Sequence, residues 1–128
     1  MKKTLLISAL LLSMPAVSNA ACKAGQLNGV WEGTINNASG GIGICSIVIQ
    51  GNKLAARSFC SNEYGDNVPL TNSQVKKRLG QCGTEVYFRF SGEPHSATLT
   101  MDRQVTVAVG LFASQWSNNL GTISLVKK

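Results

Sequence analysis

The chain has 128 residues, of which 44% are hydrophobic and 14% charged, with thirteen glycines and a formal net charge of +6. One domain fills that length, and so few charges beside so much apolar content exclude a disordered, collagenous or coiled-coil chain. Composition bounds the fold and the compartment, and names no activity.

Lys2 and Lys3, the apolar run 5–12 and the small residues Ser18-Asn19-Ala20 form an export signal over 1–20. A single domain of about 108 residues then occupies 21–128. The apolar run is shorter than the roughly 20 residues that cross a bilayer, and no later segment replaces it, so no transmembrane segment is expected. Localisation is predicted to be periplasmic or secreted. Without Lys2 and Lys3 ten basic residues face six acidic ones, a net +4. Acylation of Cys22, which lies just past the cleavage region, is the rival reading; Asn19-Ala20-Ala21 lacks the aliphatic residue that bacterial lipoprotein signals favour.

Export to an oxidising compartment makes Cys22, Cys45, Cys60 and Cys82 an even set available for two disulfides. If 44–50 and 54–60 are antiparallel strands turning near Gly51-Asn52-Lys53, Cys45 and Cys60 become cross-strand neighbours, which leaves Cys22 to pair with Cys82. A metal site is the weaker reading, since no Cys-x-x-Cys occurs and the chain has one histidine.

Strand signals dominate the rest, at 30–35, 42–50, 53–59, 85–91, 96–101, 105–113 and 122–126. Asn36-Asn37, Gly51-Asn52, Gly92-Glu93-Pro94 and Asn118-Asn119 punctuate them. Alternation puts Val86, Phe88 and Phe90 on one face and Glu85, Tyr87 and Arg89 on the other. It also predicts Ala97, Leu99 and Met101 inward, matched by Val105, Val107, Val109 and Leu111. The polar stretch 61–72, which carries Pro69, reads as a long loop. Segment 73–79 reads as a turn or two of helix or a short edge strand; helix is the weaker reading, with only two apolar residues to dock it.

The run Leu27-Asn28-Gly29-Val30-Trp31-Glu32-Gly33-Thr34 resembles the Gly-x-Trp opening strand of small calycin-type barrels, the lipocalins and avidins. Gln115-Trp116-Ser117 followed by Gly121-Thr122-Ile123-Ser124-Leu125 is similar to the final hairpin of bacterial lipocalin-like secreted domains. Their cysteine-bearing second and third strands resemble those around Cys45 and Cys60. The resemblance implies a closed up-and-down barrel whose first strand pairs with its last. Together these readings give an all-β fold: a small antiparallel meander barrel of about eight strands, stapled by two disulfides. Avidin's ring of polar biotin ligands is absent, so biotin is not implied.

Groups suited to catalysis are sparse. His95, in Gly92-Glu93-Pro94-His95, reads as a solvated turn residue, and no Gly-x-Ser-x-Gly elbow accompanies it. Glu63 and Asp66 read as a polar loop rather than a calcium loop. Gly40-Gly41-Ile42-Gly43 has no Lys-Ser/Thr after it, as a phosphate loop requires, and reads as hairpin flexibility. Lys76, Lys77 and Arg78 are the densest basic patch and read as a solvated face rather than a nucleic-acid platform. Trp31 and Trp116, near the ends of the barrel-closing strands, read first as core packing and are ligand-binding candidates as the alternative, forming a ligand floor.

The expected function is therefore non-enzymatic: an exported binding module acting through an envelope or extracellular protein partner, as an inhibitor, immunity factor or accessory subunit. No cofactor, metal or nucleic acid is expected. The alternative is a calycin-type carrier of a small apolar ligand. A further alternative, an OB-like receptor-binding subunit, requires 73–79 to be helical.

Overall fold

Period-two alternation of apolar and polar residues, cut by short turns, builds an antiparallel meander in the computed structural model, which describes residues 21–37, 41–117 and 120–128. The export signal read over 1–20, Gly40 and the Asn118-Asn119 turn lie outside the described residues. A four-residue helix, α1 (Ala24–Leu27), precedes β1 (Gly29–Asn37), β2 (Ile42–Gln50), β3 (Lys53–Leu54), β4 (Phe59–Ser61) and β5 (Asn67–Arg78). There follow β6 (Gly83–Phe90), β7 (Glu93–Met101), β8 (Val107–Ser114) and β9 (Leu120–Lys127). Each strand pairs antiparallel with its neighbour, and β1 bonds to both β2 and β9. The result is a closed eight-stranded barrel with β3 as one extra short strand on β2. First-to-last pairing is the arrangement the calycin-type resemblance implies.

Both disulfides form as the spacing predicts, Cys45 with Cys60 and Cys22 with Cys82. Cys45 and Cys60 lie directly opposite each other, yet Ile49 opposes Leu54, so the third strand is interrupted between β3 and β4. Ser58 fills the break: it is fully buried, and its Oγ accepts the Val48 N–H at 2.9 Å. Cys22, with its sulfur in a disulfide, is not an acylated cysteine. Among the described residues no helix is long and apolar enough to cross a membrane.

The core runs down the barrel axis through Ile47, Ile49, Val86, Leu99, Met101 and Leu125, each at most 1–2% exposed. Burial of such side chains stabilises the fold by about 1.5–3 kcal/mol each. At one end α1 plugs the barrel: Trp31 is buried, and its Nε1–H donates to the Leu27 carbonyl at 2.9 Å.

Two expectations are corrected and one open reading is resolved. Segment 61–72 is mostly strand: β5 starts at Asn67 and Pro69 lies in it, opposite Phe59. Segment 73–79, read as a short edge strand or, as the weaker reading, a helix, is strand, because β5 continues through it as far as Arg78. Leu70 and Val75 both face inward although five residues apart, because a bulge between Thr71 and Gln74, with Asn72 at φ 49°, resets the alternation. Finally, β8 has the opposite phase to that expected. Ala108, Phe112 and Ser114 are buried, whereas Val107, Val109 and Leu111 are 37%, 47% and 65% exposed. At Gly110 only glycine fits: a Cβ there would stand 1.7 Å from the Thr98 carbonyl oxygen.

Candidate ligand-binding site

At the end opposite α1 the barrel opens into a cavity of about 550 Å³, within the range of small-molecule pockets. Phe88 and Phe90 of β6, Phe112 of β8 and Ile35 of β1 form its apolar wall, with Tyr64 and Trp116 reaching in from loops. Asn37, Ser61, Asn62, Glu63, Glu93 and His95 supply the polar lining.

The β6–β7 turn sets the innermost polar group. Ser91 and Gly92 both have positive φ, 53° and 79°, as a two-residue type I′ turn requires. That tight turn pairs Phe90 with Glu93 and Phe88 with His95, and so draws Pro94 and His95 into β7. His95 is therefore buried at 4% exposure, not the solvated turn residue expected from sequence. Its ring stacks on Phe88 at 5.9 Å with the planes 6° apart and meets Phe90 edge-on at 5.8 Å. Nδ1 lies 2.9 Å from the Glu93 carbonyl oxygen. A carbonyl only accepts, so Nδ1 carries the hydrogen and, in the neutral ring, Nε2 is the acceptor. Nε2 lies 3.5 Å from the Glu93 carboxylate oxygen Oε2.

The rim is shaped by short side chains that bind backbone. Ser114 Oγ accepts the N–H groups of Trp116 and Ser117 at 3.1 and 3.2 Å, turning the chain so that Trp116 stands over the mouth. The Asn62 side chain accepts from the N–H groups of Tyr64 and Asp66, each at 2.9 Å, and so folds the β4–β5 loop that carries Glu63 and Tyr64. Trp116 and Tyr64 are 68% and 80% exposed, large aromatics left in water at the entrance. Arg89 sits over the Trp116 ring at 5.8 Å, with Nη1 donating to the Gly92 carbonyl at 2.7 Å.

The structure separates the residues that sequence reading grouped. Trp116 lines the cavity, whereas Trp31 packs at the far, plugged end beneath Lys127. Glu63 lines the mouth and Asp66 does not. The basic run is split between faces: Lys76 lies over Tyr87 at 5.5 Å, Lys77 bonds to the Ala24 carbonyl and Asn28, and Arg78 pairs with Glu85. Partial burial holds the Lys77 amine below its ordinary value. Among the described residues no group of three or more His, Cys, Asp or Glu is placed to hold a metal ion.

Sequence reading missed His95 and Phe112 as lining residues. Carrying the Ala97-Leu99-Met101 alternation two residues back would have placed His95 inward. No comparable signal marked Phe112, because the longer apolar pattern of Val107, Val109 and Leu111 competes with it. No protein-family model matches the sequence, and no curated protein matches it.

Proposed function

We propose that this chain is an exported, non-enzymatic carrier that holds a small apolar ligand in the mouth of its barrel, in the manner of calycin-type proteins. The observation that carries the reading is the aromatic-walled cavity of about 550 Å³ with Trp116 and Tyr64 exposed at its rim. Five aromatic side chains converge there, which supplies burial for a ligand at low entropic cost. Two disulfides support an oxidising, periplasmic or secreted setting.

Titration with the neutral probe N-phenyl-1-naphthylamine tests it. Probe fluorescence is expected to rise on binding and tryptophan emission to fall, with the fall abolished in Trp116→Phe and retained in Trp31→Phe. Absence of binding by several neutral apolar probes would overturn the carrier reading.

Action through a protein partner is the second reading. It is favoured by the outer face of β8 and β9, where Val107 and Val126 pair side by side and Val109 and Leu111 extend the exposed stripe.

A further inference from the structure

We propose that the ligand of this cavity is an organic cation, an apolar or aromatic body bearing one ammonium group that seats between Glu93 and His95. The proposal rests on the carrier reading and names the class of its ligand. Charge is its first support. The chain is basic overall, with twelve Lys and Arg against six Asp and Glu. The described cavity lining reverses that balance: it contains Glu63 and Glu93 and neither Lys nor Arg. The guanidinium of Arg89 lies outside the lining and is held over the Trp116 ring and against the Gly92 carbonyl.

Hydrogen-bond chemistry is the second. With its Nδ1 hydrogen committed to the Glu93 carbonyl at 2.9 Å, a neutral His95 turns the Nε2 lone pair toward the Glu93 carboxylate 3.5 Å away. Two acceptors at that separation repel unless a donor lies between them, either a proton on Nε2 itself or an N–H of the ligand. An ammonium group has N–H bonds for both, and its charge strengthens the bond to the carboxylate. Phe88 and Phe90 pack on the imidazole at 5.9 and 5.8 Å, so the polar pair is set in an aromatic wall whose ring faces attract a cation. A metal ion would find few oxygens in such a wall, whereas an amine with an apolar body matches both parts of it.

Three ligands of one shape test the proposal: 4-phenylbutylamine, 4-phenylbutanol and 4-phenylbutyrate, titrated by calorimetry at neutral pH alongside N-phenyl-1-naphthylamine. The amine is expected to bind about ten-fold tighter than the alcohol, with the carboxylate weakest. Glu93→Gln is expected to remove most of that preference, read as the ratio of amine to alcohol affinity within the same variant. Glu63→Gln, on an exposed loop where folding is not at stake, is expected to reduce the preference by a smaller factor. Alcohol or carboxylate binding as tightly as the amine, or an unchanged preference in Glu93→Gln with a native melting curve, would overturn the cation while the naphthylamine signal keeps the carrier. Failure of all four ligands would overturn both readings.

Discussion

Asp102 accepts the backbone N–H groups of Thr106 and Val107 at 2.6 and 2.9 Å and the Thr106 hydroxyl at 2.7 Å. These three bonds hold a turn in which Val105 takes φ 57°, a conformation that β-branched residues avoid. Desolvation acts to raise the carboxyl pKa, but the hydrogen bonds from Val107 and Thr106 together outweigh it and hold the group below its ordinary value. A carboxylate whose folded-state pKa is depressed contributes stability above its unfolded pKa and loses it as pH falls through the folded value. Urea denaturation should therefore show wild-type stability declining from about pH 5 towards pH 2, with an acid limb that Asp102→Ala flattens. At neutral pH Asp102→Ala is expected to cost about 1–2 kcal/mol, the scale of losing charge-assisted bonds at a partly exposed turn. Equal stability of the two proteins at neutral pH would show that the turn does not depend on this carboxylate.

At the scale of strands, what the sequence made legible followed from how local the signal was. In β6 the alternation of Val86, Phe88 and Phe90 against Glu85, Tyr87 and Arg89 is uninterrupted, and its face was read correctly. In β5 the bulge at Asn72 adds a residue, so a strand with two inward apolar positions resembled a polar loop. In β8 both alternating sets are apolar, and only contact across the barrel decides between them: Gly110 fits under the Thr98 carbonyl and Phe112 fits the mouth. The site was legible to the same degree. Trp116, Phe88 and Phe90 carried local signals, whereas a cavity depends on side-chain sizes from strands far apart in sequence. The corrected phase of β8 predicts unlike effects from neighbouring residues. Leu111→Lys is expected to change stability by less than about 0.5 kcal/mol, and Phe112→Ala to cost about 3 kcal/mol, measured by chemical denaturation. The reverse order would restore the phase read from sequence. If the outer stripe of β8 and β9 docks a partner, Leu111→Lys is also expected to abolish crosslinks that the wild-type protein forms in the cells that produce it.

Across the whole molecule the two ends of the barrel are built differently, one plugged and one open, and each disulfide lies nearer a different one. Cys22–Cys82 ties the segment before α1 to the β5–β6 corner, at the end sealed by Leu27 and Trp31. Cys45–Cys60 staples β2 to β4, and Cys60 itself lines the cavity. The sequence separations are 60 and 15 residues, so the loop-entropy estimate assigns about 4 kcal/mol to the first bridge and about 3 kcal/mol to the second. Paired Cys→Ala variants separate stability from binding. Loss of Cys22–Cys82 is expected to lower the urea midpoint further, yet to leave the dissociation constant of N-phenyl-1-naphthylamine within about two-fold, because nothing at the mouth depends on the plug. Loss of Cys45–Cys60 is expected to cost less stability and to weaken probe binding several-fold, because β4 and the Asn62-bearing loop would no longer be fixed against β2. Equal weakening by both variants would mean that the mouth is held by the barrel as a whole, and the division between a plugged, stabilising end and an open, binding end would not stand.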